Sequence, residues 1–161
     1  MAKQYWLFKT EPDCFSIDDL RNSARMTTSW SGVRNYLARN ILRDQVKVMD
    51  EVLFHHSSSD PVGIAGTCVV TRSGHPDPTQ FDPDSQYFAP KATFDSPIWY
   101  AVDVKFQSKL LQLIPLSLLR QTPGLEKMMV CQRGARLSIQ PVTVDEWKVV
   151  QALIKKTGSI T

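Results

Sequence analysis

The chain has 161 residues, of which 42% are hydrophobic and 22% charged, with a net charge of +3. That length suits one domain, residues 1–161, and the ordinary composition excludes a disordered, low-complexity or repeat protein. No apolar run approaches the ~20 residues that cross a bilayer, and Met1 to Phe8 holds no apolar signal core, so a cytoplasmic protein, or a nuclear one in a eukaryote, is expected.

In chain order, Gln4 to Lys9 is rich in aromatics and reads as an opening strand. Ser16 then caps a helix whose first turn carries Asp18 and Asp19. A second helix is expected over Val33–Asp44, with Val33, Tyr36, Leu37 and Ile41 on its apolar stripe. Glu51–His56 and Gly63–Val70 read as strands, joined by the turn residues Ser57 to Pro61. The stretch from Thr71 to Pro97 holds five prolines and reads as a long loop, a type that is usually functional or mobile. Pro97–Phe106 alternates as a strand, with Ile98, Tyr100 and Val102 on one face and Trp99 and Asp103 on the other. A short helix follows, then a last strand over Arg136–Pro141. Thr143 and Glu146 form a capping box opening the final helix, whose buried face holds Trp147, Val150 and Ile154. Short dispersed strands with helices toward the ends indicate an α+β fold built on a mixed β-barrel.

The charge is unevenly spread. Arg21 to Lys47 carries six basic residues against Asp44 alone, and Lys105 to Arg136 carries six against Glu126 alone. If the two segments meet in space, they make a surface that attracts phosphates. The three cysteines are far apart and form no Cys-x-x-Cys pair, so no disulfide framework and no zinc site is expected. His55 and His56 are adjacent on a strand and point to opposite faces, which argues against a shared metal. No phosphate-binding glycine loop, nucleophile elbow or metalloprotease motif is present. No catalytic residue and no cofactor is assigned.

Four segments carry a family resemblance: Tyr5–Pro12 with Phe15–Leu20; Trp30–Arg43, which contains Trp-Ser-Gly-Val-Arg-Asn-Tyr-Leu-Ala-Arg-Asn; Val52–Ser57 with Gly63–Gly66; and Arg136–Pro141. In order and over nearly the whole length, the chain resembles the EVE family. The resemblance implies a PUA-like barrel with peripheral helices and a pocket for a flipped or unpaired modified base, most often a modified cytosine. The chain departs from the family pattern at Ser31, where an acid is common, and at Met49-Asp50, where Gly-Asp is usual. It departs again at His55-His56-Ser57-Ser58, in place of Tyr-His-Ser-Asn.

Reading a base needs a flat apolar wall, polar groups for the base edge and cations for phosphate. Trp30 is the candidate wall, flanked by Ser29, Gly32, Val33 and Asn35. Trp99 is a second aromatic candidate, Ser57 a hydrogen-bonding one, and His56 belongs to the pocket rim. Arg34, Arg39, Arg43, Arg133 and Arg136 are the phosphate candidates, expected to flank one pocket mouth. Trp30→Ala is expected to leave the fold intact. The expected function is a module binding DNA or RNA through a modified base, with a second copy of the chain as another partner to consider. The alternatives are a hydrolase of modified nucleosides, using Lys9 or Glu11 as base, and an adaptor holding a peptide or metabolite.

Overall fold

Residues 2–161 are described by a computed structural model. In Tyr5–Thr10 (β1), Trp6 and Phe8 enter one apolar cluster and Leu7 another, so both faces of the strand are buried. A strand buried on both faces belongs inside a sheet. Accordingly β1 lies between Glu51–His56 (β3), which it pairs in parallel from Tyr5–Glu51 to Thr10–His56, and Ile139–Val142 (β6), which it pairs antiparallel. Gly63–Pro76 (β4) pairs with β3, and Tyr100–Pro115 (β5) pairs with β4. Thr27–Ser29 (β2) and Ser159–Ile160 (β7) both add to β5.

The order is β2-β5-β4-β3-β1-β6, with β7 off this path on β5. The register slips four times between β4 and β5. Each slip leaves a residue unpaired, bends the strand and increases its twist. The end strands β2 and β6 do not pair with each other, so the sheet is not the closed barrel expected from the sequence. These strands are only three and four residues long and offer little ladder for closure.

One side of the sheet buries Phe8, Phe54 and Val104 against Leu20 of Ile17–Arg21 (α1) and Ile41 and Leu42 of Tyr36–Asp44 (α2). The other buries Leu7, Leu53 and Ile114 against Leu119 of Leu116–Gln121 (α3) and Trp147 and Val150 of Val144–Thr157 (α4). Each large side chain removed from water contributes roughly 1.5–3 kcal/mol. No helix among the described residues is long and apolar enough to cross a membrane.

The expected capping box of Thr143 with Glu146 forms, and Ser16, expected as a cap, forms a second box with Asp19. The second helix starts later than expected, at Tyr36. Asn35 caps it, with its side-chain oxygen accepting the Ala38 N–H at 3.0 Å. The buried stripe is therefore Ala38, Ile41 and Leu42, while Val33 reaches the core from the preceding segment. Tyr36 and Leu37, expected on the apolar stripe, are each 60% exposed. The expected long loop narrows to residues 77–99, because β4 continues to Pro76 and β5 begins at Tyr100.

Candidate functional site

A cleft of about 610 Å³ lies beside the C-terminal ends of β1 and β2. Lys9, Thr10 and Glu11 contribute from β1 and the residue after it, Cys14 and Phe15 from the turn that follows, and residues 28–34 from β2 onward. Gln86 and Tyr87 come from the proline-rich loop, and Ser138 from the approach to β6.

Local chemistry explains why residues 29–34 run through this cleft. Trp30 N–H donates to Val102 O at 2.7 Å, which continues the β2 ladder by one residue. Ser31 N–H then donates to Ser29 O at 2.9 Å, and Gly32 takes φ +83°, a left-handed conformation that favours glycine. A Cβ at Gly32 would stand 2.8 Å from the Tyr87 ring, so glycine is also needed for the chain to pass beside that ring.

Asp77, 0% exposed, clamps the segment. Its carboxylate accepts from Gly32 N–H at 2.8 Å, Arg34 Nη1 at 3.0 Å and the Thr79 hydroxyl at 2.6 Å. Burial pushes the Asp77 carboxyl up, but the hydrogen bonds from Thr79, Gly32 and Arg34 outweigh it and hold it below the usual carboxylate range. Arg34 also donates to Tyr87 O at 2.8 Å, and its guanidinium lies 5.3 Å from the Tyr87 ring centroid. The clamp thus ties the Trp30 segment to the proline-rich loop.

Trp30 lines the cleft yet is only 7% exposed. Its ring centroid lies 5.3 Å from that of Phe8 and 5.4 Å from that of Phe54, and Phe15 meets it edge-on at 6.4 Å. It is a core side chain that also borders the cleft. Beside it, the Ser29 hydroxyl is buried with no hydrogen-bond partner among the described residues. Such an unpaired buried hydroxyl costs free energy that a bound polar edge can recover. Lys9 Nζ donates to Ala135 O at 2.8 Å, and burial lowers its pKa.

Of the residues singled out in the sequence, Ser29, Trp30, Gly32, Val33 and Arg34 meet at this cleft. Asn35, His56, Trp99, Arg39, Arg43 and Arg133 do not line it. The Asn35 side-chain oxygen is used as the α2 cap. His56 Nε2 accepts the Ile17 N–H at 3.1 Å and so secures the start of α1. Trp99 is buried and stacks with Tyr36 at 4.9 Å; it lies behind the lining residue Arg34, whose guanidinium is 5.2 Å from its ring centroid. Arg39 donates to Ile98 O at 2.8 Å, and Arg43 is paired with Asp44 at 2.8 Å. Arg34 and Arg39 are therefore tied to the protein itself, and of the two only Arg34 also lines the cleft. Ser57 and Arg136 fall together in a second cavity, which shares Lys9 with the first. The two basic segments thus meet at adjoining cavities through Arg34 and Arg136, whereas five arginines around one mouth were expected.

Sequence reasoning assigned no role to Asp77 or Tyr87. Asp77 sits in the segment His75–Phe81, whose Asp-Pro-Thr spacing is a capping signal, and Asp77 does cap the short 3-10 turn Pro78–Phe81. Nothing local marks Tyr87.

The open mixed sheet, with helices on both faces and a cleft at the strand ends, belongs to the PUA-like class of α+β folds. Residues 4–153 match the family described as the EVE domain, and the chain belongs to that family. Thymocyte nuclear protein 1 of Homo sapiens is 39% identical over 171 residues, covering 96% of this chain and 76% of that protein. A solved protein from Pseudomonas syringae is 43% identical with a TM-score of 0.87, covering 93% of this chain and 99% of that one. Human THYN1, solved in complex with 5-methylcytosine-containing DNA, is 37% identical with a TM-score of 0.88, covering 97% of this chain and 100% of that one.

Proposed function

We propose that this protein is a nucleic-acid binding module that takes a modified base, a modified cytosine first among them, into the Trp30 cleft. The observation that carries this reading is the unpartnered Ser29 hydroxyl beside Trp30, in a cleft of about 610 Å³. An aromatic border and an unmet hydrogen-bonding group are what a flipped base requires. The volume lies within the range usual for small-ligand pockets. The relationship to human THYN1, solved with 5-methylcytosine-containing DNA, supports the same reading. The partner is then DNA or RNA carrying such a base. The expected compartment, cytoplasmic or nuclear in a eukaryote, goes with that partner, and self-association remains the second partner proposal. The test is fluorescence anisotropy with matched short oligonucleotides that differ in one 5-methylcytosine. A preference of about fivefold or more for the methylated strand is expected, while equal affinities would sink the base reading.

A second reading, a hydrolase of modified nucleosides, is favoured by one observation. Lys9, whose pKa burial lowers, lines the cleft together with Glu11. Incubation with N-acylated cytidines, followed by chromatography, separates the two. Turnover abolished by Lys9→Met would establish the hydrolase, and unchanged substrate would remove it.

A further inference from the structure

A second cavity, of about 300 Å³, adjoins the Trp30 cleft across Lys9, which lines both. Its geometry follows from β3, where successive side chains go to opposite faces. His56 turns to α1. His55 turns the other way, to line this cavity. The His55 ring is 1% exposed, and neither of its nitrogens has a hydrogen-bond partner among the described residues. Buried polar atoms are nearly always paired, so two unmet positions on one ring point to a ligand that supplies partners. Burial above all, helped by the charges of Lys9 and His56, lowers the His55 pKa to about 4. At neutral pH the ring is therefore uncharged and offers one N–H donor and one acceptor.

The rest of the lining defines the ligand. Lys9, Arg120 and Arg136 supply three positive charges, of which Lys9 Nζ donates to Ala135 O at 2.8 Å and Arg120 Nε to Cys131 O at 3.1 Å. Ser57 supplies a hydroxyl, and none of the lining residues is acidic. Arg136 is exposed and has no ion-pair partner among the described residues. No phenylalanine, tyrosine or tryptophan lines the cavity, so it lacks the broad apolar face on which a base stacks best. Several donors converging under excess positive charge match an anion with several acceptor oxygens.

We propose that this cavity binds a phosphate group of the strand whose base enters the Trp30 cleft. The strand rests on the function proposed above; the anion site itself does not. The two neighbouring cavities would then divide one task, with phosphate held at Arg136, Ser57 and His55 and the base at Ser29 and Trp30. Phosphate contacts fix position without reading sequence.

The first experiment titrates inorganic phosphate into the wild-type chain at constant ionic strength. The ¹⁵N shifts of the His55 imidazole report binding, assigned by their loss in His55→Phe. One saturable site that moves the His55 nitrogens is expected. Arg136→Gln should weaken phosphate about tenfold or more, and Ser57→Ala about threefold. If no saturable shift occurs at His55, or if Arg136→Gln binds phosphate like wild type, the proposal is overturned. Arg136 is exposed, so this variant remains informative should His55→Phe fail to fold. The second experiment asks which phosphate the site serves. Inorganic phosphate should compete with a short unmodified oligonucleotide and leave binding of free 5-methylcytidine unchanged. Phosphate that binds without displacing the oligonucleotide would overturn the assignment to the strand. Failure of the base reading looks different, because it equalises methylated and unmethylated strands and leaves the phosphate titration intact.

Discussion

Trp30 touches Phe8, Phe15 and Phe54 and exposes 7% of its surface, so alanine at this position removes core packing along with part of the cleft border. Trp30→Ala is therefore expected to cost about 3–5 kcal/mol, read from urea unfolding, in contrast to the intact fold anticipated from the sequence. Trp30→Phe keeps most of the packing and should weaken a 5-methylcytosine oligonucleotide by about threefold to tenfold. Unchanged affinity in that variant would take Trp30 out of the base site. His55 gives a prediction in pH. Its pKa falls from 6.5 to about 4 on folding, so between those values the unfolded chain binds the proton more strongly. The stabilising contribution is complete above the unfolded value and is lost as pH falls toward the folded one, by up to about 3 kcal/mol. His56, also lowered chiefly by burial, acts in the same direction. The urea midpoint should drop between pH 7 and pH 4, less steeply in His55→Phe. Parallel slopes for the two proteins would refute this origin.

At the scale of elements, helix starts and loop clamps differ in how far along the chain their causes lie. Asn35 caps α2 and Thr143 caps α4, each accepting an N–H three residues on. Replacing either by alanine should cost about 1 kcal/mol without changing ligand preference. Asp77 instead joins β4 and the proline-rich loop to the segment after β2, with partners Gly32 and Arg34 distant in sequence. Asp77→Ala leaves Arg34, whose side chain is 22% exposed, without its carboxylate, and it strands the Gly32 N–H. A loss of about 3–5 kcal/mol is expected in thermal or denaturant unfolding. The Trp30 segment should loosen at the same time, seen as faster amide exchange at Gly32. A variant as stable as wild type would show that the clamp is dispensable.

For the whole molecule, the question is how a net charge of +3 is distributed around the two cavities. Arg136 lines the second cavity, and Arg133, three residues earlier, is exposed and unpaired among the described residues. Arg133→Glu and Arg136→Glu should weaken methylated and unmethylated oligonucleotides alike and flatten the salt dependence of binding. Arg43 lines neither cavity and pairs with Asp44, so Arg43→Glu should change binding much less. Binding curves at several salt concentrations test this, and an equal loss from Arg43→Glu would place the strand on α2 instead.

Features set by neighbours a few residues apart could be read directly from the chain. Ser16 and Thr143 cap helices because acceptor and donor lie three residues apart, which no tertiary rearrangement needs to arrange. The strand at Glu51–His56 and the opposite directions of His55 and His56 follow from the two-residue period of extended backbone. The string around Trp30 pointed to the cleft segment, and Ser29, Trp30 and Gly32 do line it. What lay beyond reach depends on sheet order. The parallel pairing of β1 with β3 brings Lys9 beside His55, and the antiparallel pairing of β1 with β6 brings the Lys9 N–H onto Ser138 O. The packing of the proline-rich loop sets Tyr87 against Gly32 and Asp77 beneath Arg34. The same packing decided that Arg34 and Arg39 bind backbone carbonyls of their own chain, while Arg136 is left facing a cavity. Composition and local pattern determined the residue types and the elements that carry them. Long-range strand pairing together with the packing of the proline-rich loop decided which distant groups hold Arg34 and Arg39 and which buried polar groups were left for a ligand.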